Sequence, residues 1–294
     1  MPLLDSILSK ELVVVTGKGG VGKTAISTAV AGRLAAAGRR TLILEIDPRE
    51  SVHQMLDVPP SGGEVVEVGR CLYLQHLRPR DVLNQIVRER VRIEFLVQRV
   101  LRSPVYHHFS EGAPGLKEMA VLGHALILVQ GKVPGAPEID VVVLDAPATG
   151  HGVSLLLAPL LVSDVIRQGP IAAMTAEVAD LVADAERCGV IVVTLAEEMP
   201  VSESLELIGA LQQKLGRRPE FVVANALYPP VPREQRRDSR DPLGSLWVDR
   251  RRLNDQELQR LRANWLGLIG EMPLLPLDRG PVLAEALAER LAAL

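Results

Sequence analysis

The chain lacks the features that would place it at once in several classes. It has 2 cysteines in 294 residues. Cys71 and Cys188 are far apart and show no metal-ligand spacing, so two reduced, buried thiols are expected rather than a disulfide framework. Neither sign of charge is in surplus: 33 basic and 36 acidic residues leave a net charge of -3. That balance offers nucleic acid no general attraction and points to no strongly acidic or basic partner. No apolar run has the length of a membrane span; the nearest, Val153 to Val162, is short and carries Pro159. The start, Met1-Pro2-Leu3-Leu4-Asp5, has an acid and no basic segment or long apolar core, so no secretory signal is read there and a cytoplasmic location is expected. No internal repeat is visible. With 47% hydrophobic and 23% charged residues, the composition is that of a globular chain with one large or two smaller cores.

The chain does have Gly17-Lys18-Gly19-Gly20-Val21-Gly22-Lys23-Thr24, directly after the apolar β-branched run Leu12 to Thr16 and directly before a helical pattern. Strand, glycine loop and helix in that order form a phosphate-binding loop. Glycines let successive backbone N–H groups curl round a phosphate, and the helix N-terminus adds its positive end. Lys23 is then expected on the β- and γ-phosphates of a nucleotide, with the Thr24 hydroxyl on Mg²⁺.

Ala25, Ile26, Ala29, Val30 and Leu34 continue as a helical stripe that Gly38 ends. Thr41 to Ile46 reads as a second buried strand running into Asp47-Pro48-Arg49-Glu50-Ser51, where Asp47 is placed to orient or deprotonate a water; an Asp-Pro turn is the plain alternative. Ser61 to Gly69 reads as a connection and Leu72 to Leu77 as a strand. Helical spacing covers Pro79 to Leu101 and Leu116 to Val129, more helix than one crossover needs, so an inserted helical subdomain is expected. Val141-Val142-Val143-Leu144-Asp145 is an apolar strand ending in an acid suited to holding a Mg²⁺-bound water, and Ala146-Pro147-Ala148-Thr149-Gly150-His151 follows.

Leu155 to Ala185 reads as helical, broken near Pro159 and again at Gly169-Pro170. Val190 to Leu195 and Phe221 to Ala224 read as strands, and Ser202 to Leu215 as a helix capped by Ser202 and stopped by Gly216. Asn225 ends the later strand. Tyr228 to Gly244 reads as a loop, Arg250-Arg251-Arg252 as a solvated face before a helix from about Asp255 to Leu266, and Pro281 to Leu294 as a terminal helix. The expected fold is α/β: a doubly wound, mostly parallel sheet forming a single phosphate-loop domain over residues 1–294, with the helical subdomain contributed by about 79–131 and 153–187. The loop, Asp47 and Asp145 all follow strand ends, which gathers them on the sheet's carboxyl edge.

These segments together resemble the anion-transporting ATPase family, which includes the arsenite-pump ATPase and the ATPase that targets tail-anchored membrane proteins. Lys18, beside the first glycine, resembles the signature lysine of its deviant Walker A class. Asp47-Pro48 with Ser51 is similar to the family's switch I, and Asp145-Ala146-Pro147-Ala148-Thr149-Gly150-His151 to its switch II. Val222 to Asn225 looks like the strand whose Asn contacts adenine, and Pro273-Leu274-Leu275 with Arg279-Gly280 like the family's last strand and loop, which implies that Asn225 and Pro273 are nucleotide-binding. The resemblance implies a Mg²⁺-dependent ATPase that dimerises on ATP, with itself or a paralogue, with Lys18 of each subunit serving the other. Lys18, Lys23, Asp47 and Asp145 would carry catalysis and couple it to a hydrophobic helix, a membrane-protein client or another partner.

Four departures qualify that implication. The Cys-x-x-Cys pair expected near Tyr228 to Arg240 is missing, so no zinc is expected, and the cysteine set that binds arsenite is absent. Switch I reads Asp-Pro-Arg-Glu where the family commonly has Asp-Pro-Ala-His. The helical region has only Met119 and Met174, where a client groove tends to be Met-rich. Two other classes stay open: a partition-type ATPase acting on nucleic acid or a membrane surface, although nucleic acid is disfavoured, and a regulatory nucleotide-binding module with little turnover.

Overall fold

A computed structural model describes residues 3–47, 51–90, 98–99, 102–103, 112–147, 152–230 and 242–294. Among these, eight strands form one sheet: β1 (Leu12–Thr16), β2 (Thr41–Glu45), β3 (Val66–Gly69), β4 (Leu72–His76), β5 (Val141–Asp145), β6 (Cys188–Leu195), β7 (Phe221–Leu227) and β8 (Leu268–Pro273). Their order is β3-β4-β2-β5-β1-β6-β7-β8, and every pairing is parallel except that of β3 with β4. β1, β2 and β5 are buried at every position. Unbroken runs of Val, Leu and Ile fit that double burial because helices cover both faces.

One face carries α1 (Lys23–Ala36), α2 (Ser51–Leu56) and α9 (Pro281–Ala292), packed with a short 3-10 turn at Leu3–Ile7. Its core joins Ile26, Val30 and Leu34 to Val13, Val15, Ile43, Val143 and Leu287. The other face carries α3 (Pro79–Arg90), α4 (Leu116–Val129), α5 (Gly152–Val165), α6 (Pro170–Ala183) and α7 (Glu198–Leu215). There Met119, Leu122, Leu126, Leu155, Leu181 and Leu211 share one continuous core with Val14, Leu44 and Leu144. α8 (Pro242–Asn264) packs on α7 and β7. One polar pair crosses into the second core: the buried His124 of α4 and Gln75 of β4, 2.9 Å apart through Nε2 and Oε1.

Several expected boundaries move. α5 runs unbroken through Pro159, because its packing against α4, α6 and α7 outweighs the roughly 3 kcal/mol that an interior proline costs. α7 begins four residues before Ser202, with Pro200 in its first turn. The Ser202 hydroxyl caps nothing and instead donates back to the Glu198 carbonyl at 2.7 Å. α8 starts at Pro242, not near Asp255, since proline suits a first helical position; Arg250-Arg251-Arg252 therefore lie within it. β3 occupies part of the stretch expected as a connection, and β7 continues through Asn225 to Leu227 past a left-handed Ala226. Cys188 is buried but Cys71 only half so. Of the helical stretch expected over Pro79 to Leu101, residues 91–97, 100 and 101 lie outside the described residues, as do 48–50 of switch I, 148–151 of switch II, and residues 231–241.

Candidate active site

The site grows out of the turn between β1 and α1. At Gly17 a Cβ would stand 2.1 Å from the Val193 carbonyl oxygen, so β6 presses on the loop too closely for any side chain. Gly22 is left-handed (φ 89°, ψ 27°) and ends the loop at the helix N-terminus. Its missing Cβ leaves room for Asn225, whose amide nitrogen would be 2.3 Å from such an atom. Asn225 donates through Nδ2 to the Val21 carbonyl at 2.9 Å, and Val21 is buried in the first core. Asn225, expected at an adenine edge, is therefore also a brace on the loop. Gly19 and Gly20 are exposed at the loop's crest.

Lys23 is 6% exposed, and its ammonium donates to the Lys18 carbonyl at 2.9 Å. Burial lowers its pKa, against the opposing pull of Asp145 and then Asp47. Asp145, at the end of β5, is 2% exposed. Its two carboxylate oxygens accept the Thr24 hydroxyl at 2.7 Å and the Ser27 hydroxyl at 2.9 Å. Desolvation nevertheless raises its pKa; those hydrogen bonds and Lys23 work the other way, while Asp47 adds to the rise. Lys23, Asp47 and Asp145 thus lie within one electrostatic neighbourhood, as the strand ends predict. Lys18 turns away to form an ion pair with Glu203 of α7 at 2.5 Å. Pro273 lies at the end of β8, paired in register with Leu227 of β7, the strand that carries Asn225.

Two residues of this cluster escaped the sequence reading. Ser27 sits three positions after Thr24 and so shares its helix face. Glu45, the last residue of β2 and two positions before Asp47, is 1% exposed, with its pKa pushed up to about 7 chiefly by burial. An acid closing an otherwise apolar buried strand was the available signal.

Chemically, a ring of backbone amides in front of a buried lysine suits a polyphosphate. The Thr24 hydroxyl against the Asp145 carboxylate is a hard oxygen pair suited to Mg²⁺. The family model for anion-transporting ATPases matches residues 10–174, a stretch that contains the loop, Asp47 and Asp145. The chain belongs to the anion-transporting ATPase family.

Within that family the chain is 31% identical over 221 residues to the ATPase BagA of Mycobacterium tuberculosis, covering 69% of this chain and 61% of the relative. It is 28% identical over 258 residues to the arsenical pump-driving ATPase of Escherichia coli, covering 81% of this chain and 42% of the relative. The corresponding protein of Acidiphilium multivorum is 27% identical over 248 residues, with 78% and 41% covered. The chain therefore spans less than two thirds of the length of these curated relatives. Membership of an ATPase family implies nucleotide binding. The remaining sequence candidates do not join the site: Arg250, Arg251 and Arg252 pair with Glu197, Asp255 and Asp249. Among the described residues no helix is long and apolar enough to cross a membrane.

Proposed function

We propose that this chain is a Mg²⁺-dependent ATPase that dimerises on ATP and couples hydrolysis to holding a hydrophobic client or partner protein. The observation that carries the reading is the buried constellation behind the glycine loop: Lys23 beside a carboxylate that two hydroxyls of α1 already grip. So costly a set of buried charges is retained where its groups have work to do.

In this account the amides from Gly17 to Gly22 take the phosphates, with Asn225 keeping the loop's shape, and Lys23 balances charge on the γ-phosphoryl group. Thr24 and Asp145 would hold Mg²⁺, which when bound neutralises phosphate charge. Asp47 orients the attacking water. Lys18 serves the neighbouring subunit's nucleotide, as the resemblance implies; to do so it must leave Glu203, a half-exposed pair worth at most about 1 kcal/mol. Leu160, Leu161 and Val165 of α5 are 44%, 43% and 77% exposed, an apolar surface suited to a hydrophobic helix, and supplied by the region read as a helical subdomain (about 79–131 and 153–187). No zinc or arsenite role is proposed: Cys71 and Cys188 lie at strand starts separated by four steps of the sheet, about 19 Å, too far to share an ion.

Turnover of ATP by the wild type and by Lys18→Ala, together with sedimentation with and without ATP, tests the reading. Mg²⁺-dependent turnover lost in the variant, and a shift from one chain to two on ATP, are expected. Equal, negligible turnover in both proteins would reduce the chain to a binding module.

A further inference from the structure

Three buried titratable side chains stand in one row across neighbouring strands. Glu45 of β2 is in register with His76 of β4 on one side and with Asp145 of β5 on the other. In parallel strands, residues in register share a face, and this is the face that carries α1 and α2. Asp145 is gripped by Thr24 and Ser27. The other two reach toward the connection that follows β2.

Glu45 Oε1 accepts the backbone N–H of Ser51, and that of Val52 at 3.0 Å. The side chain thus reaches six and seven residues ahead along its own chain and closes the connection like a clasp. His76 Nε2 lies 3.1 Å from the Asp47 backbone oxygen; a carbonyl only accepts, so Nε2 carries the proton. The far end of the connection is tied once more, where the Arg279 guanidinium donates to the Ser51 carbonyl at 2.5 Å. Asp47 is therefore itself one anchored point of the connection after β2 and Ser51-Val52 is the other, both held by side chains rather than by strand pairing. A carboxyl group buried beside Asp145 is an expensive strand end. A valine would fill the same core without that cost, but it could not receive the two amides.

We propose that Glu45, with His76, is a positioning residue for Asp47: the pair fixes the connection after β2 so that the Asp47 carboxylate is presented to the water that attacks ATP. This rests on the ATPase reading above. Neither residue touches the nucleotide in this account, and a displacement of the carboxylate by about 1 Å is enough to cost on the order of 100-fold in rate.

The test compares wild type, Glu45→Ala, Glu45→Gln and His76→Ala in the full chain, measuring kcat and KM for ATP and the hydrogen exchange of the Ser51 and Val52 amides. In Glu45→Ala, kcat is expected to fall by roughly 10- to 100-fold with KM within about twofold, while both amides exchange faster. Glu45→Gln keeps an acceptor oxygen and is expected to recover kcat to within about threefold and to restore the slow exchange. His76→Ala is expected to lower kcat about tenfold, again without raising KM.

An unimpaired kcat in Glu45→Ala overturns the proposal. So does a joint loss of kcat and ATP affinity, or a Glu45→Gln protein no better than Glu45→Ala. Should Glu45→Ala not fold, Ser51→Pro carries the same question, because it deletes one donor at a first helical position that tolerates proline. A lower kcat at constant KM supports the proposal and an unchanged kcat overturns it. A wild type without turnover sinks the ATPase reading and this inference together, whereas an active wild type with an unimpaired Glu45→Ala sinks this inference alone.

Discussion

The two ends of the same strands treat charge in opposite ways. At the amino ends, charges are matched. Arg40 forks onto Asp140 and also meets Glu138; Arg187 grips both oxygens of Glu11 at 3.0 and 2.8 Å. Where charges pair directly there, pKa values move toward the charged forms: hydrogen bonds from Arg40 lower that of Asp140, and those to Glu11 raise that of Arg187. Burial reverses the direction at Arg39 and Glu220, but Arg39 donates to the Lys10 and Asp140 carbonyls and Glu220 faces Lys10 and Arg217.

At the carboxyl ends desolvation dominates. It lowers the pKa of Lys23 and raises those of Asp145 and Glu45, so each is pressed toward its neutral form. The difference teaches that one end settles its charges internally while the other keeps charges that an anionic ligand and a cation would relieve.

The sharpest way to break that contrast is to remove the central charge. Lys23→Met is expected to cut ATP turnover by roughly 100- to 1000-fold while the thermal midpoint stays level or rises, as judged by parallel kinetics and melting. A matching fall in stability would mean that Lys23 is structural.

His124 tests burial without a ligand. Its pKa is pushed down to about 4 by desolvation, although it faces Gln75 and not the loop. An unfolded histidine titrates near 6.5, so between pH 6.5 and 4 the unfolded chain binds more protons. Stability is therefore expected to be intact above pH 6.5 and to fall by about 3 kcal/mol as the pH drops through 4. Denaturant titrations across that range should show the decline in wild type and lose it in His124→Gln.

A smaller effect belongs to the loop. Gly22→Ala drives a methyl into Asn225 at a left-handed position and is expected to weaken ATP binding about tenfold by calorimetry. Adding Asn225→Gly should return part of it, by relieving the clash but not the strain.

The smallest effect lies at the amino end. Arg40→Ala removes exposed ion pairs to Asp140 and Glu138, and is expected to leave the denaturation midpoint nearly unmoved and turnover unchanged.

The asymmetry also explains what could be read from the chain. Six of the eight strands and the glycine loop were legible because continuous apolar runs and a fixed spacing have few other uses, and the sheet's carboxyl edge followed from them; β3 and β8, half-exposed at the sheet's two edges, were not. α2 and the start of α8 were not, since both begin in polar, proline-bearing stretches that read as loop. Pro159 and Ser202 misled for a different reason: local preference argued for a break and a cap, and tertiary packing overrode both. Among site residues, Lys23, Thr24 and Asp145 were visible in motifs. Ser27, Glu45 and His76 were not, because their importance lies in which strand neighbours or helix turn they face.

The most direct test of the central claim is Asp47→Asn, with ATP affinity and single-turnover hydrolysis measured on the same sample. The account predicts ATP bound within about threefold of wild type and hydrolysis slowed by roughly 100-fold or more. Hydrolysis at the wild-type rate, or a wild-type chain that does not bind ATP at all, would contradict it.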